Sequence, residues 1–277
     1  MTRTRLAAAT LALIYPLACA LPAAAQERPD QHRANLDAGN SDSDSGIVEN
    51  DPMDRAGRGW SGQITPYVWA PGLGGDITPF RGAPTLSLDR SVSEVLKDSD
   101  GAFFLSGFAR HDRLVLMGDF SWSSTSKGGA IPPGFPAEGK LTQRSLTLLG
   151  GWRAVSDDRM TLDLLGGLRA WSIKSSVTVA GGLIQASPGK DFIDPVVAAR
   201  ANVALAPQWS LLLYADIGGF GAGSEHTNQI LATVNYQMKE KLYLSAGYRQ
   251  LSVDYKSGGT HVDVTMAGPL LGLTWRF

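Results

Sequence analysis

The sequence predicts an all-β protein, an antiparallel transmembrane β-barrel of about ten strands, and three observations predict it. Runs of about ten residues with apolar side chains at every second position recur from Trp60 to Phe277, which is the length a tilted membrane strand needs. Short connections alternate with long ones between the runs, as in bacterial barrels with tight periplasmic turns and long outer loops. The seven tryptophans lie near run ends, the levels at which barrels place their interfacial aromatics.

The N-terminus reads as a secretory leader. Arg3 and Arg5 form a basic start, an apolar stretch runs from Leu6 to about Leu21, and Ala23, Ala24 and Ala25 precede Gln26, the layout of a cleavable signal over residues 1–25. Pro16 and Pro22 interrupt the stretch and argue against a membrane anchor, and Pro16 stands where a lipoprotein signal around Cys19 would carry Leu. Cys19 is the single cysteine of the chain, so the processed protein is expected to hold no disulfide, thiolate metal site or cysteine nucleophile. Residues 26–59 are polar, with a Ser/Asp tract around 40–46, and are expected to form a disordered periplasmic tether because they bury too little apolar surface to offset chain entropy.

The barrel is expected over residues 60–277. Its runs are Trp60–Trp69, Ala102–Arg110, Leu114–Ser123, Leu141–Arg153, Met160–Ser172, Ile193–Leu205, Trp209–Phe220, Gln229–Met238, Leu242–Asp254 and Val262–Phe277; eight or twelve strands are the neighbouring counts. The short connections are 111–113, 156–159, 206–208 and 239–241, and the long ones are 70–101, 124–140, 173–192, 221–228 and 255–261. In the last run Ala267, Leu271, Leu273, Trp275 and Phe277 are expected to face lipid while Gly272, Thr274 and Arg276 face the lumen. Ile230, Ala232, Val234 and Tyr236 oppose Thr233, Asn235 and Gln237 in the same way, as Leu146, Leu148 and Trp152 oppose Ser145, Thr147 and Arg153. The pattern weakens in the second run and towards Leu251 and Val253, where a bulge would shift the register. Trp60, Trp152, Trp209, Trp275, Tyr236 and Tyr243 are assigned to the periplasmic interface and Trp69, Trp122 and Trp171 to the outer one, although Trp171 shares the parity of Arg169 and on that ground is expected to line the mouth as the alternative to facing lipid.

With 277 residues, 43% of them hydrophobic, 18% charged and a formal net charge of −1, the chain can bury one sizeable core and offers nothing that would attract nucleic acid. Backbone groups in hydrocarbon must all be satisfied internally, so a closed sheet is the one β solution. A soluble barrel or sandwich would place the apolar parity inside instead.

Four segments carry a resemblance: Pro66 to Asp76, Tyr214 to Ser224, Gly247 to Tyr255 and Gly268 to Phe277. On these the chain, from about residue 60 to its end, resembles a family of uncharacterised proteobacterial outer-membrane β-barrel proteins. The resemblance implies a fold and a place in the cell outer membrane, with no activity or catalytic residues to transfer. The last run, ending in Trp275 and Phe277, also resembles the C-terminal signal that outer-membrane proteins present to the barrel assembly machinery.

The lumen parity collects Asp119, Asp163, Asp194 and Asp216 against Arg153, Arg169, Arg200, Arg249 and Arg276. Buried charges need partners, so the preferred reading is a network of Arg–carboxylate pairs filling a narrow barrel, ahead of a charged constriction that selects solutes. Barrels near eight strands are filled by side chains, whereas open channels belong to about sixteen. A loop-side hydrolase is the different-class alternative, with Glu225, His226, His261 and Asp263 as proton-transfer candidates and Ser224 or Ser257 nearby; exposed histidines are more often plain solvated side chains. No metal-ligand spacing stands out. The glycine run 218–223 lacks the Lys-Ser/Thr ending of a phosphate loop. Ser91 and Glu94, in capping-box spacing, suggest a short helix over Ser91–Leu96. The expectation is therefore a non-enzymatic outer-membrane component of structural or interaction type with at most a narrow solute pathway, no cofactor, an unknown ligand, and outer-membrane lipid and the assembly machinery as partners. Porin and hydrolase stand as the alternatives.

Overall fold

The computed structural model describes residues 59–277 apart from 79–80, 83–84, 132–134, 180–183 and 187–188. The expected leader and, up to residue 58, the expected tether lie outside the described residues. The strands are β1 (Trp60–Trp69), β2 (Gly72–Thr78), β3 (Leu86–Arg90), β4 (Ser99–His111), β5 (Leu114–Ile131), β6 (Phe135–Ser156), β7 (Met160–Val179), β8 (Ile184–Ala186), β9 (Gly189–Ala206), β10 (Trp209–Gly219), β11 (His226–Lys239), β12 (Leu242–Ser257) and β13 (Thr260–Arg276). A single helix among the described residues, α1 (Val92–Lys97), follows β3.

Ten strands form a closed antiparallel barrel in the order β1-β4-β5-β6-β7-β9-β10-β11-β12-β13, with β13 pairing back onto β1. The closing seam runs from Trp69 opposite Leu270 to Gln63 opposite Arg276, and Phe277 exchanges two 2.9 Å backbone hydrogen bonds with Gly62. No edge is left along the seam, which is what a sheet surrounded by hydrocarbon requires. Each of the ten expected runs coincides with one barrel strand.

What differs is the treatment of the long connections. β5 and β6 continue as a paired ribbon up to Ile131 opposite Phe135, and β12 and β13 up to Ser257 opposite Thr260, so much of the expected loop at 124–140, 173–192 and 255–261 is strand. Backbone groups that begin in a ladder keep their partners by extending it. The 70–101 connection folds into the β2–β3 hairpin, whose β2 pairs with the upper part of β13, and into α1. Ser91 caps α1 with a capping box in which Glu94 reaches back to the Ser91 N–H at 2.8 Å, the helix its spacing predicts within one residue. These hydrogen bonds hold the exposed Glu94 carboxyl below its ordinary pKa.

Exterior and interior follow the expected parity. Leu146, Leu148 and Trp152 are exposed while Ser145, Thr147 and Arg153 are buried, and the alternation holds without a break from Leu270 to Trp275. The expected bulge near Leu251 is absent: Leu251 lies opposite Met266 and Val253 opposite Val264 in regular register. The composition of the two faces changes there instead. Along β12 the inward residues pass from Ser245 and Arg249 to Leu251, Val253 and Tyr255, while the outward ones pass from Leu244 and Tyr248 to Gln250, Ser252 and Lys256. Along β12 and β13 the wall below this level is apolar outside and mainly polar inside, while Phe108, Val115, Leu149, Leu165 and Val196 add an apolar cluster to the lower interior; above it the polarity of these two strands is inverted, as expected where the outer face leaves hydrocarbon for water.

Two aromatics, Trp69 and Tyr243, depart from their expected interface positions for the same reason of parity, and Trp171 takes the inward place that its parity with Arg169 offers. Trp69, Trp171 and Tyr243 are buried inside the barrel, where indole and phenol rings can meet arginine side chains. Trp60, Trp152, Trp209 and Trp275 remain exposed at the short-turn end, with Trp209 against the half-buried Tyr236 at 4.8 Å.

The polarity inversion makes a direct test of the apolar band. Leu148→Arg, on the outer face of β6, is expected to lower stability in lipid vesicles by about 2–4 kcal/mol, and Gln250→Arg, above the band, by about 1 kcal/mol or less. Urea unfolding of the two variants measures the difference; equal losses would remove the band from this height.

Candidate functional site: the charged lumen

The inward charges are brought together in layers. Nearest the short-turn end, the fully buried Asp163 of β7 accepts from Arg153 Nε at 2.9 Å and from Arg200 Nη1 at 3.0 Å. Arg153 comes from β6 and Arg200 from β9, the two neighbours of β7, so one carboxylate bridges three adjacent strands. The Arg200 guanidinium also lies 4.0 Å from the ring centroid of Phe108. Arg276 stacks on Tyr243 at the same distance, giving the inward tyrosine its place.

The middle layer crosses the bore. Arg249 of β12 donates through Nη2 to Asp119 of β5 at 3.1 Å and to Gln229 at 2.7 Å. β12 and β5 are separated by four steps around the ten-strand ring, through β13, β1 and β4, so this pair spans the lumen. Tyr67 of β1 completes it: its hydroxyl donates to Asp119 Oδ2 at 2.8 Å and accepts from Arg249 Nη1. The guanidinium rests 4.8 Å from the Trp69 ring centroid, a contact that accounts for the inward turn of that tryptophan.

Beside it, Arg169 of β7 grips Asp216 of β10 with two hydrogen bonds, Nη2 to Oδ2 at 2.5 Å and Nη1 to Oδ1 at 3.2 Å. Two further donors go to Thr147 at 2.9 Å and Thr227 at 3.3 Å, and Tyr214 donates to Asp216 Oδ2 at 2.7 Å. Bidentate, fully hydrogen-bonded geometry is the condition under which a buried ion pair is tolerated.

Asp194 is a correction to the expected Arg–carboxylate network. It faces inward and is fully buried, but it accepts from the Ser224 N–H at 2.7 Å, the Ser224 hydroxyl at 2.9 Å and Trp171 Nε1 at 3.1 Å. It pins the β10–β11 turn into the barrel mouth. That turn needs three successive left-handed residues, Gly219 (φ 89°), Phe220 (φ 50°) and Gly221 (φ 74°), of which the glycines adopt the conformation at little cost and the phenylalanine does not.

The candidate hydrolase residues are placed elsewhere. Ser224 is fully buried with its hydroxyl committed to Asp194, which removes it from His226. His261 Nε2 lies 3.1 Å from Asp254 Oδ1, so its carboxylate partner is Asp254 and not Asp263; Asp254 also receives Lys256 at 3.2 Å. Among the described residues no group of three or more His, Cys, Asp or Glu side chains is arranged to hold a metal ion. Tyr67, Tyr214, Thr227 and Gln229 were not singled out from the sequence; their signal was inward parity shared with the charges.

No family model and no curated protein matches the chain. Among solved structures it is similar to the outer-membrane protease OmpT from Escherichia coli, at 10% identity and a TM-score of 0.46, over 79% of this chain and 96% of that one. It is similar also to the translocator domain of the autotransporter NalP from Neisseria meningitidis, at 13% identity and a TM-score of 0.44, over 83% and 92%. A third is Ail, the attachment invasion locus protein of Yersinia pestis, at 12% identity and a TM-score of 0.37, over 79% and 99%. All three are Gram-negative outer-membrane barrels.

Removing one member of a buried pair leaves the other uncompensated. Asp216→Ala is expected to lower stability by about 3–5 kcal/mol, whereas the double change Arg169→Met with Asp216→Leu should recover most of that loss. Denaturant midpoints of the folded barrel provide the check; a loss under about 1 kcal/mol for Asp216→Ala would mean that the pair carries little of the interior's stability.

Proposed function

We propose that this chain is an outer-membrane β-barrel of structural or interaction type whose lumen is shut by its own side chains, leaving its outer end as the working surface. The observation that carries this reading is the cross-bore group of Arg249, Asp119, Tyr67 and Gln229. A solute passing through would have to part this group, and each partner would then face a desolvated, unpaired charge. Beside it, on the short-turn side, the lumen retains a cavity of only about 90 Å³ lined by both polar and apolar side chains, room for a few waters.

Membrane residence is supported by the exposed apolar band, by the rows of exposed tryptophan at the short-turn end and by the absence of an unpaired edge at the β1–β13 seam. On this reading outer-membrane lipid covers the band. Trp275 and Phe277, exposed side by side at the closing strand with ring centroids 6.0 Å apart, are the features the barrel assembly machinery would recognise. The reading assigns no catalysis. A porin or a loop-side hydrolase would each contradict it.

Planar-bilayer recording tests the shut lumen. The purified barrel is expected to show no discrete conductance, and the double variant Asp119→Ala with Arg249→Ala is expected to open small steps. Steady steps from the unaltered protein would overturn the reading in favour of a porin. Phe277→Ala is expected to lower the amount of folded, heat-resistant barrel in the outer-membrane fraction severalfold, as read by gel mobility with and without boiling; an unchanged amount would remove Phe277 from the assembly signal.

A further inference from the structure

Above the apolar band the barrel wall is lined inside by apolar residues that do not fill the space they enclose. A cavity of about 270 Å³ lies there. Packed protein interiors leave few voids larger than a water molecule, so a space of this size in an apolar wall is at the small end of ligand sites. Its walls come from three directions: Val253, Val264 and Met266 on β12 and β13, Trp171 and Phe192 on β7 and β9, and Ile77 on the β2–β3 hairpin. Trp171, Phe192 and Tyr255 form a stacked aromatic row with centroid separations of 6.0 and 4.7 Å.

Below the cavity the barrel is closed. Leu251, Leu270, Trp69 and Phe104 pack into the same cluster, and the Arg249–Asp119 group spans the bore. Among the described residues the chamber is closed towards the short-turn end and lies on the long-loop side of that closure. Among the residues that line it one is charged, Lys190, and it is a cation; Gln143 and Thr260 add neutral polar groups. A chiefly apolar pocket with a few polar groups that fix orientation is the usual composition of a small-molecule site.

We propose that this chamber binds a small amphiphile with an apolar, aromatic or short-chain body and a single anionic group, the body lying against the Trp171–Phe192–Tyr255 row and the anion directed to Lys190. The volume excludes a two-chain lipid, so the ligand is a free solute from the long-loop side. This goes beyond the shut-lumen reading and is tested separately from it, since conductance does not enter the measurement.

Equilibrium dialysis of the full-length barrel in detergent micelles against radiolabelled para-propylbenzoate, with protein-free micelles as the blank, tests it. One saturable site per chain is expected. Val264→Trp and the milder Ile77→Phe should each abolish it by filling the chamber, with folding confirmed by heat-dependent gel mobility, so that Ile77→Phe decides if Val264→Trp fails to fold. Lys190 is exposed, so Lys190→Gln should weaken the acid by about two- to fivefold, the scale of a solvent-exposed ion pair, and leave the weaker binding of para-propylbenzyl alcohol unchanged. Uptake no greater than that of empty micelles would overturn the proposal, as would saturable binding retained by the filled variants. Equal affinity for the acid and the alcohol, unaffected by Lys190→Gln, would overturn the anionic assignment.

Discussion

The constraint on which the structure depends is that a backbone in hydrocarbon finds no water to bond with. Every peptide group along the ten strands must pair with a neighbour, and the ring must close. The β1–β13 seam does this down to the last residue, where Phe277 and Gly62 exchange their backbone hydrogen bonds. Closure in turn dictates the rest: alternate side chains point either to lipid or into a bore too narrow for bulk water.

A narrow bore sets its own chemistry. Backbone closure does not require charges inside, and apolar side chains could occupy the same volume. The arginines and aspartates here do something that apolar packing does not: each bond has directions and fixed partners, and several join strands that are not neighbours. Arg249 and Asp119 tie opposite walls, Arg169 and Asp216 reach across an intervening strand, and Asp163 fastens three adjacent strands through two arginines. Such cross-links favour one register of the whole ring over its slipped alternatives, since a one-residue slip turns every inward side chain out.

The change of polarity along β12 and β13 divides the barrel into two chemical environments built on continuous strands. Within the band, water is scarce outside and polar groups are gathered inside. Above it, Gln250, Ser252 and Lys256 take the outer face, and Leu251, Val253 and Tyr255 turn inward to make a second core. Asp194 stands near this change, holding the inturned Ser224 and the Trp171 indole together. The same hydrophobic effect thus produces opposite arrangements on one strand, because the solvent outside differs.

Period-two alternation and the short turns are local features, and they make ten strands, their order and most facings legible in the sequence. The capping box at Ser91 and Glu94 was legible in the same way. The strand extensions beyond the band were not, because 124–131, 135–140 and 173–179 are rich in Ser, Thr, Lys and Gly and read as loop. Nor were the inward places of Trp69 and Tyr243, since proximity to a strand end says nothing of the face; that of Trp171 was legible only through the parity it shares with Arg169. By itself the sequence determined that the charged residues Asp119, Arg153, Asp163, Arg169, Asp194, Arg200, Asp216 and Arg249 enter the lumen, for parity depends only on position along one strand. The tertiary structure alone decided that Arg249 meets Asp119, that Arg169 meets Asp216 and that Asp194 holds a serine and a tryptophan instead of an arginine. Those pairings depend on strand order, tilt and stagger around the closed ring, which bring together residues as far apart in the chain as 119 and 249.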